Sequence, residues 1–423
     1  MNEAIEVRDE GPAASGLLLT LYNREHLLAA FGADFAQAAM ASLQGQVRLW
    51  GASVVVLNDS SFLAEPLSAE RHDLAGLAER WQLALSSTVL EWRSQRALPA
   101  LGIRPVRSLT GTARLGHSPP LYHPHSARDA WPAPHLPPID YGWDWQESYA
   151  RDMAIASDFF SLAEQGQAAL ALQPIARLPK DAHQPQCAEV LYQEALLRWH
   201  PDGRRLEGIG PGQVVGALER LGLVRSLDHA VLVSVIEALE RDPALQLGCN
   251  LSASSLVLDS WWGSLLHRLA QRPEVARRLT VELTESTAVA DMEAALAFTR
   301  HLKSLGCQLA LDDFGSGYGA LSFALAVPLD VIKLDRSLLH AARGNRSAME
   351  QLHNLARLCS NLAPTVVAEG VETPQDVYNL RLIELGWAQG FWLGRPRLGA
   401  QPLQVRWPER LTHGPLQHVV PAN

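Results

Sequence analysis

The run LALDDFGSGYGALSF, Leu309 to Phe323, ends an apolar stretch on two adjacent aspartates and continues into glycine-punctuated sequence. Two like charges at the end of a buried strand repel and lose hydration, so a cation is expected between them. Seven other short apolar runs also carry polar residues within them or at their ends. They hold Gln173, Glu194, Asn250, Glu282 with Glu285, Lys333, Glu369 and Gln389, beside the Asp312–Asp313 pair. A set of Glu, Asp and Asn without His or Cys suits hard Mg²⁺ or Mn²⁺ rather than zinc. Asp312 and Asp313 could supply a carboxylate bridging two ions, and two-metal sites with ions ~3.5–4 Å apart cleave phosphate esters. A closed salt-bridge network with Lys333 and Arg198 is the alternative. Glu369 could instead cap the helix expected near TPQDVYNLRLIEL. Gln173, Gln389 and Glu285 could be hydrogen-bonded strand ends, and the glycines after Asp313 could simply turn the chain.

Positioning such a set requires strands whose ends converge. The eight runs are LALQPIARL, YQEALLRW, LGCNLSA, LTVELTE, QLALDDF, DVIKLD, TVVAEG and AQGFWL, most of them separated by helical segments. That alternation fits a (β/α)8 barrel, ~250 residues in typical length, whose strand C-termini share one rim where catalysis is found.

The rest of the chain supports a soluble α/β protein of two domains, since 423 residues exceed one ordinary core. GLLLTLY reads as a strand, REHLLAAFGADFAQAAMASLQ as one amphipathic helix and RLWGASVVVL as strand–turn–strand; AERHDLAGLAERWQLALSSTVLEW reads as a second long helix. The Pro-, His- and Trp-rich stretch from Gly116 to Trp145 reads as an extended connector. Its histidines (His117, His123, His125, His135) match no ligand spacing. The expected divisions are a small α/β domain over 14–115, the linker over 116–145, a connecting helix over 146–169 and the barrel over 170–410. A formal charge of −9 argues against a nucleic-acid polymer as partner. No run is long enough for a membrane span, the start carries no secretory signal, and Cys187, Cys249, Cys307 and Cys359 read as buried thiols. Together these point to a cytoplasmic protein.

EALLRW, NLSASSL, VELTES, DDFGSGYGALSF, VIKLDRS, VAEGVET and QGFWLGRP occur in the order and near-spacing of the EAL-domain cyclic di-GMP phosphodiesterases, which this chain resembles from about Leu170 to Leu398. The resemblance implies a modified (β/α)8 barrel that hydrolyses cyclic di-GMP to linear pGpG with two Mg²⁺ or Mn²⁺ ions. It implies metal ligation by Glu194, Asn250, Glu282 and Asp312, with Asp312 bridging to a second ion beside Asp313. Lys333 resembles the lysine that orients the attacking water, Glu369 a carboxylate organising water or the second metal, and Glu285 the residue steadying the glycine loop. Gln173, Arg198 and Gln389 match substrate-side positions, Arg198 offering a forked donor to phosphate. Ser316 stands where threonine is usual, and LGWAQG is shorter between its glycines than the usual form. Family pairing near the glycine loop implies a homodimer through the barrel. The alternative from the same resemblance is a catalytically silent receptor or protein-interaction platform.

RLWGASVVVL resembles, more weakly, the signature region of a GGDEF diguanylate cyclase domain, with Trp50, Gly51, Ala52, Ser53 and Val54 in place of the signature. The acidic residues needed for cyclisation are missing there. A degenerate, non-catalytic GGDEF-like domain is expected, with a protein or a nucleotide as its partner.

Overall fold

The computed structural model describes residues 16–67, 73–106, 136–140, 142–181, 189–199, 206–284, 291–316, 320–399 and 402–407. Glu285, Cys187, the four linker histidines and most of the linker lie outside these residues. The chain divides into two compact units. One comprises Met1–Ala133, Ile139–Ala150 and Glu409–Asn423, the other Pro134–Pro138 and Arg151–Pro408.

The first unit contains β1 (Gly16–Leu21), β2 (Ala52–Asn58), β3 (Ser61–Pro66), β4 (Leu90–Trp92), β5 (Gln95–Ala97) and β6 (Leu101–Val106). Its main sheet runs β2-β3-β1-β6, and all of its neighbouring strands are antiparallel. Leu17, Leu19, Phe62 and Ile103 are buried with Phe35, Leu43 and Trp81 of the helices. Three local expectations need correction. The first helix is two, Arg24–Phe31 and Ala33–Leu49, interrupted at Gly32, whose φ of 91° an L side chain rarely adopts. The second long helix is only Leu74–Ser86, capped by Asp73 and followed by the β4–β5 hairpin. RLWGASVVVL is a helix end, a turn and one strand. Trp50 and Gly51 follow a helix, Ala52 to Val54 begin β2, and the hairpin turn lies at Asp59–Ser60. There Asn58 Oδ1 accepts the Ser60 N–H at 2.9 Å.

The second unit is a closed eight-stranded barrel entered from the helix Trp143–Glu164. Its strands are β7 (Ala168–Arg177), β8 (Val190–Trp199), β9 (Leu247–Leu251), β10 (Leu279–Leu283), β11 (Gln308–Phe314), β12 (Val331–Leu334), β13 (Thr365–Ala368) and β14 (Trp387–Ala388). Seven of the eight expected runs hold strands; of the eighth, AQGFWL, only Ala388 lies in a strand, β14, and the residues after it turn away. β8 to β14 are mutually parallel, whereas β7 is antiparallel to both β8 and β14 and also pairs with the short β15 (Leu403–Gln404). A parallel neighbour needs a crossover, usually through a helix. Between β7 and β8 the described residues contain no helix, so the chain returns antiparallel there and the barrel departs from a regular (β/α)8 alternation.

Candidate metal-binding active site

Side chains on a strand alternate faces, so residues two apart share one. On β8 that places Tyr192, Glu194 and Arg198 on one face. Register then aligns Gln173 of β7 with Glu194, Glu194 with Gly248 of β9, and Asn250 with Glu282 of β10. Glu194 and Glu282 are buried, the latter completely, as are Gln173 and Gln389. Glu194 accepts from Asn250 Nδ2 at 2.7 Å and from Gln389 Nε2 at 2.6 Å, and Gln389 Nε2 also reaches Gln173 Oε1 at 3.2 Å. The residues just beyond β13 and β14, Glu369 and Gln389, are thus brought to the same place as those of β8.

Adjacent residues of a regular strand cannot both face one site, which makes the aspartate pair a problem of backbone geometry. The β11–β12 register shifts between Leu311 and Phe314, and Asp313 adopts a φ of 54°, in the left-handed region. The irregularity lets both carboxylates serve one cluster. Ligand atoms of Asp312, Asp313 and Glu369 lie within 4.8 Å of one another, and those of Glu194, Glu282 and Asp312 form a second such group. Asp312 belongs to both.

Lys333 of β12 has no exposure and sits among these groups. Its Nζ lies 3.2 Å from Glu194, 2.7 Å from Glu282, 2.8 Å from Asp312 and 2.8 Å from Glu369. The expected alternative of an ion-pair network is therefore partly realised, but without Arg198, whose Nη1 donates to the Leu197 carbonyl at 2.6 Å. One ammonium among the five carboxyls of the two groups, four of them in contact with it, leaves a formal excess of four negative charges if all are ionised. Burial cannot sustain that excess without protons or cations. Burial, reinforced by Glu194, pushes the Glu282 carboxyl well above the ordinary range. Burial likewise raises Glu369 despite Lys333, and it takes Asp313 up to about 6 with help from Asp312. At Glu194 burial is outweighed by Lys333 and the amides of Gln389 and Asn250, which hold it low. Burial opposes charge on Lys333, but the surrounding carboxylates raise it well above its usual value.

The donor set fits a divalent cation on a separate observation. Asn250 Oδ1, Glu282 Oε1 and Gln389 Oε1 are buried acceptors without a hydrogen-bond partner. Such atoms cost about 1–3 kcal/mol each when left unsatisfied, and a hard cation with oxygen ligands would satisfy them. Glu369 does not cap a helix: Thr373 accepts from Asp376 N and caps Pro374–Leu382.

One contributor escaped the sequence reading. A Cβ built on Gly248 would stand 2.5 Å from Glu282 Oε1 and 2.5 Å from the Tyr192 ring. Glycine two residues before Asn250, on the same face of β9, is the signal that could have revealed it. Gly248→Ala should displace the Glu282 carboxylate. The expected cost is about 1–3 kcal/mol of stability and a roughly tenfold or greater loss of Mn²⁺ affinity, read by thermal unfolding and calorimetric titration.

Residues 154–396, more than half of the chain, match the family described as EAL domain. The chain belongs to the EAL domain family. Two relatives of this EAL protein in Pseudomonas aeruginosa are the cyclic di-GMP phosphodiesterases NbdA and PA2567. Each is 32% identical to it, over 213 and 214 residues, which make up 49% of this chain in both cases. The matches cover only 27% and 36% of those relatives' own lengths. The solved EAL enzyme Bd1971 in its cAMP-bound form superposes with a TM-score of 0.50 at 20% identity, covering 59% of this chain and 68% of that one, a likeness of fold. No helix of the EAL protein, among the described residues, is long and apolar enough to cross a membrane.

Proposed function

We propose that this EAL protein is a phosphodiesterase that hydrolyses cyclic di-GMP to linear pGpG with two Mg²⁺ or Mn²⁺ ions. The observation that carries the reading is Asp312's membership of both ligand groups, next to the orphaned acceptors of Asn250 and Glu282. Glu194, Asn250, Glu282 and Asp312 would hold one ion, and Asp312, Asp313 and Glu369 the other. When bound, the ions would supply Lewis-acid charge to the phosphodiester and acidify a water. Lys333, charged and fixed by its carboxylates, holds the proton-rich side of the cluster and orients the attacking water. Glu369, at the edge of that cluster, helps to order the same water. Gln173 and Gln389 face the substrate, and Arg198 binds phosphate from farther along the face of β8. The names of NbdA and PA2567 favour cyclic di-GMP as the substrate class. Glu285 steadies the glycine loop, a role carried over from the family resemblance alone, as are pairing through the barrel and a cytoplasmic setting.

Purified chain with Mn²⁺ should release pGpG from cyclic di-GMP, with turnover falling below detection in EDTA and returning on addition of metal. Turnover that persists in EDTA would refute the metal assignment. Lys333's four ion pairs favour a second reading, a closed and catalytically silent receptor. That reading predicts ligand binding with no metal-dependent rise in melting temperature.

The first unit is read as a degenerate GGDEF-like regulatory domain that docks a protein or a nucleotide. Its hairpin turn, Asp59–Ser60, contains no glycine. Incubation with GTP and Mg²⁺ should yield no cyclic di-GMP by chromatography, and any cyclase product would overturn this part.

A further inference from the structure

The strand β2 ends the main sheet of the first unit, paired on one side with β3 and, among the described residues, with no strand on the other. An edge of this kind presents a row of backbone donors and acceptors, and proteins usually blunt it with charge, proline or a short strand. Here the edge is seven residues, ASVVVLN, with neither a charge nor a proline, and its register against β3 is regular from Ala52 to Val56 and shifts only between Val56 and Asn58. Val55 and Val56, at the strand's centre, are 45% and 56% exposed, although the face of Val56 is covered farther into the sheet at Phe62 and Ala64. Leu49, two residues before the Gly51 turn, and Leu67, whose N–H donates to the Gly51 carbonyl at 2.9 Å, are exposed beside the start of the strand. These four are the large apolar side chains most exposed in this unit's described residues. Exposed apolar surface gathered on one edge that carries no charge and no proline marks an interaction site.

We infer that β2 pairs with β2 of a second copy of this chain, antiparallel about a two-fold axis centred on Val55. An antiparallel pairing of a strand with itself sets residue i against a residue equidistant from the centre. Val55 then meets the partner's Val55, Val54 the partner's Val56, Ser53 the partner's Leu57, and Ala52 the partner's Asn58. The regular part of the strand supplies the pairs at the axis, the Val56–Asn58 irregularity falls at its ends, and no charge is brought against a like charge. That self-compatibility favours a second copy over a charged peptide, and a two-fold interface closes on itself instead of propagating. The pairing extends the four-stranded sheet of each copy into one of eight. It is independent of the barrel's chemistry and of any pairing made by the barrel.

The test is disulfide trapping in the full-length chain. Val55→Cys places two thiols directly opposite each other, within the Cα separation of about 4.4–6.8 Å that a disulfide accepts. Under mild oxidation a covalent dimer is expected on non-reducing gels. Asp59→Cys, at the exposed hairpin tip, is the control. Its two copies would stand about 27 Å apart at ~3.4 Å per residue, and they should not cross-link. Val56→Lys in the Val55→Cys background sets an ammonium beside the axis on each strand and should cut the trapped fraction at least fivefold. A Val55→Cys chain that stays monomeric on oxidation overturns the inference. Equal trapping at Asp59→Cys, or trapping indifferent to Val56→Lys, overturns it as well. A folded far-ultraviolet spectrum and retained turnover in each variant separate these outcomes from failure of the fold or of the phosphodiesterase reading.

Discussion

Asp312→Ala is expected to abolish phosphodiesterase activity, with turnover reduced by at least ~10³-fold, equivalent to about 4 kcal/mol of transition-state stabilisation. The magnitude follows from position. Glu194 and Glu282 belong to one group of ligand atoms and Asp313 and Glu369 to the other, whereas Asp312 alone is common to both. Removing an unshared ligand should weaken one ion; removing the shared carboxylate should weaken both. Calorimetric titration of Asp312→Ala with Mn²⁺ should therefore lose both binding events, while Asp313→Ala keeps one. Two intact binding events in Asp312→Ala would place the ions elsewhere. Asn at the same position keeps an oxygen but loses the charge, and should recover little of the rate.

Lys333→Met should produce the second large effect, with opposite consequences for rate and for metal. The ammonium is fully buried and lies within 3.2 Å of four carboxylates. Without it, the metal-free protein keeps buried acidic groups with no counter-charge, and breaking a buried pair in this way costs about 3–5 kcal/mol. Protonation of Glu282 and Glu369, whose carboxyls burial already raises, will absorb part of that cost. Divalent cations should bind the variant at least as tightly as the parent, because they no longer compete with an ammonium for the same oxygens. The expected pattern is a melting temperature that drops in EDTA and rises more steeply with Mn²⁺ than in the parent. Turnover should fall ~10²–10⁴-fold, the usual worth of a positioned proton-handling group. A variant that turns over normally would remove Lys333 from the chemistry and leave it as a counter-ion only.

Most of the barrel was legible because each strand is a short apolar run bounded by helix or turn signals; seven of the eight runs became strands, and AQGFWL gave only Ala388. The polar residues at their ends were legible as a group for the same reason: strand ends on one rim must meet. Three features resisted. The reversed direction of β7 depends on what joins it to β8, and nothing in LALQPIARL encodes strand polarity. Asp313 was expected beside Asp312, but the left-handed backbone that puts it there is rare outside glycine and has no signal in an alternating strand pattern. Gly248 carries no side chain to notice, and its importance is the space it leaves for Glu282. In the first unit, Gly32 split a continuous amphipathic pattern. The turn residues Asp59 and Ser60 were overlooked in favour of Gly51, which ends a helix region instead of joining two strands. Glycine signals both kinds of break, and only the partner strand tells them apart.

The reversed first strand has a consequence for how the barrel is made. β7 joins β8 nearby in sequence but reaches β14 only after the whole barrel has been traversed, and the Gln173–Gln389 contact across that seam spans 216 positions. Contacts of such long range incur loop-closure entropy before they return any enthalpy, and they form late. Parallel pairing from β9 to β12 can gather Asn250, Glu282, Asp312 and Lys333 in a chain that is still open. The two glutamine amides meet only when the last strand closes the ring, so the nascent barrel gathers the Glu282 and Asp312 carboxylates around Lys333 before Gln173 and Gln389 are joined.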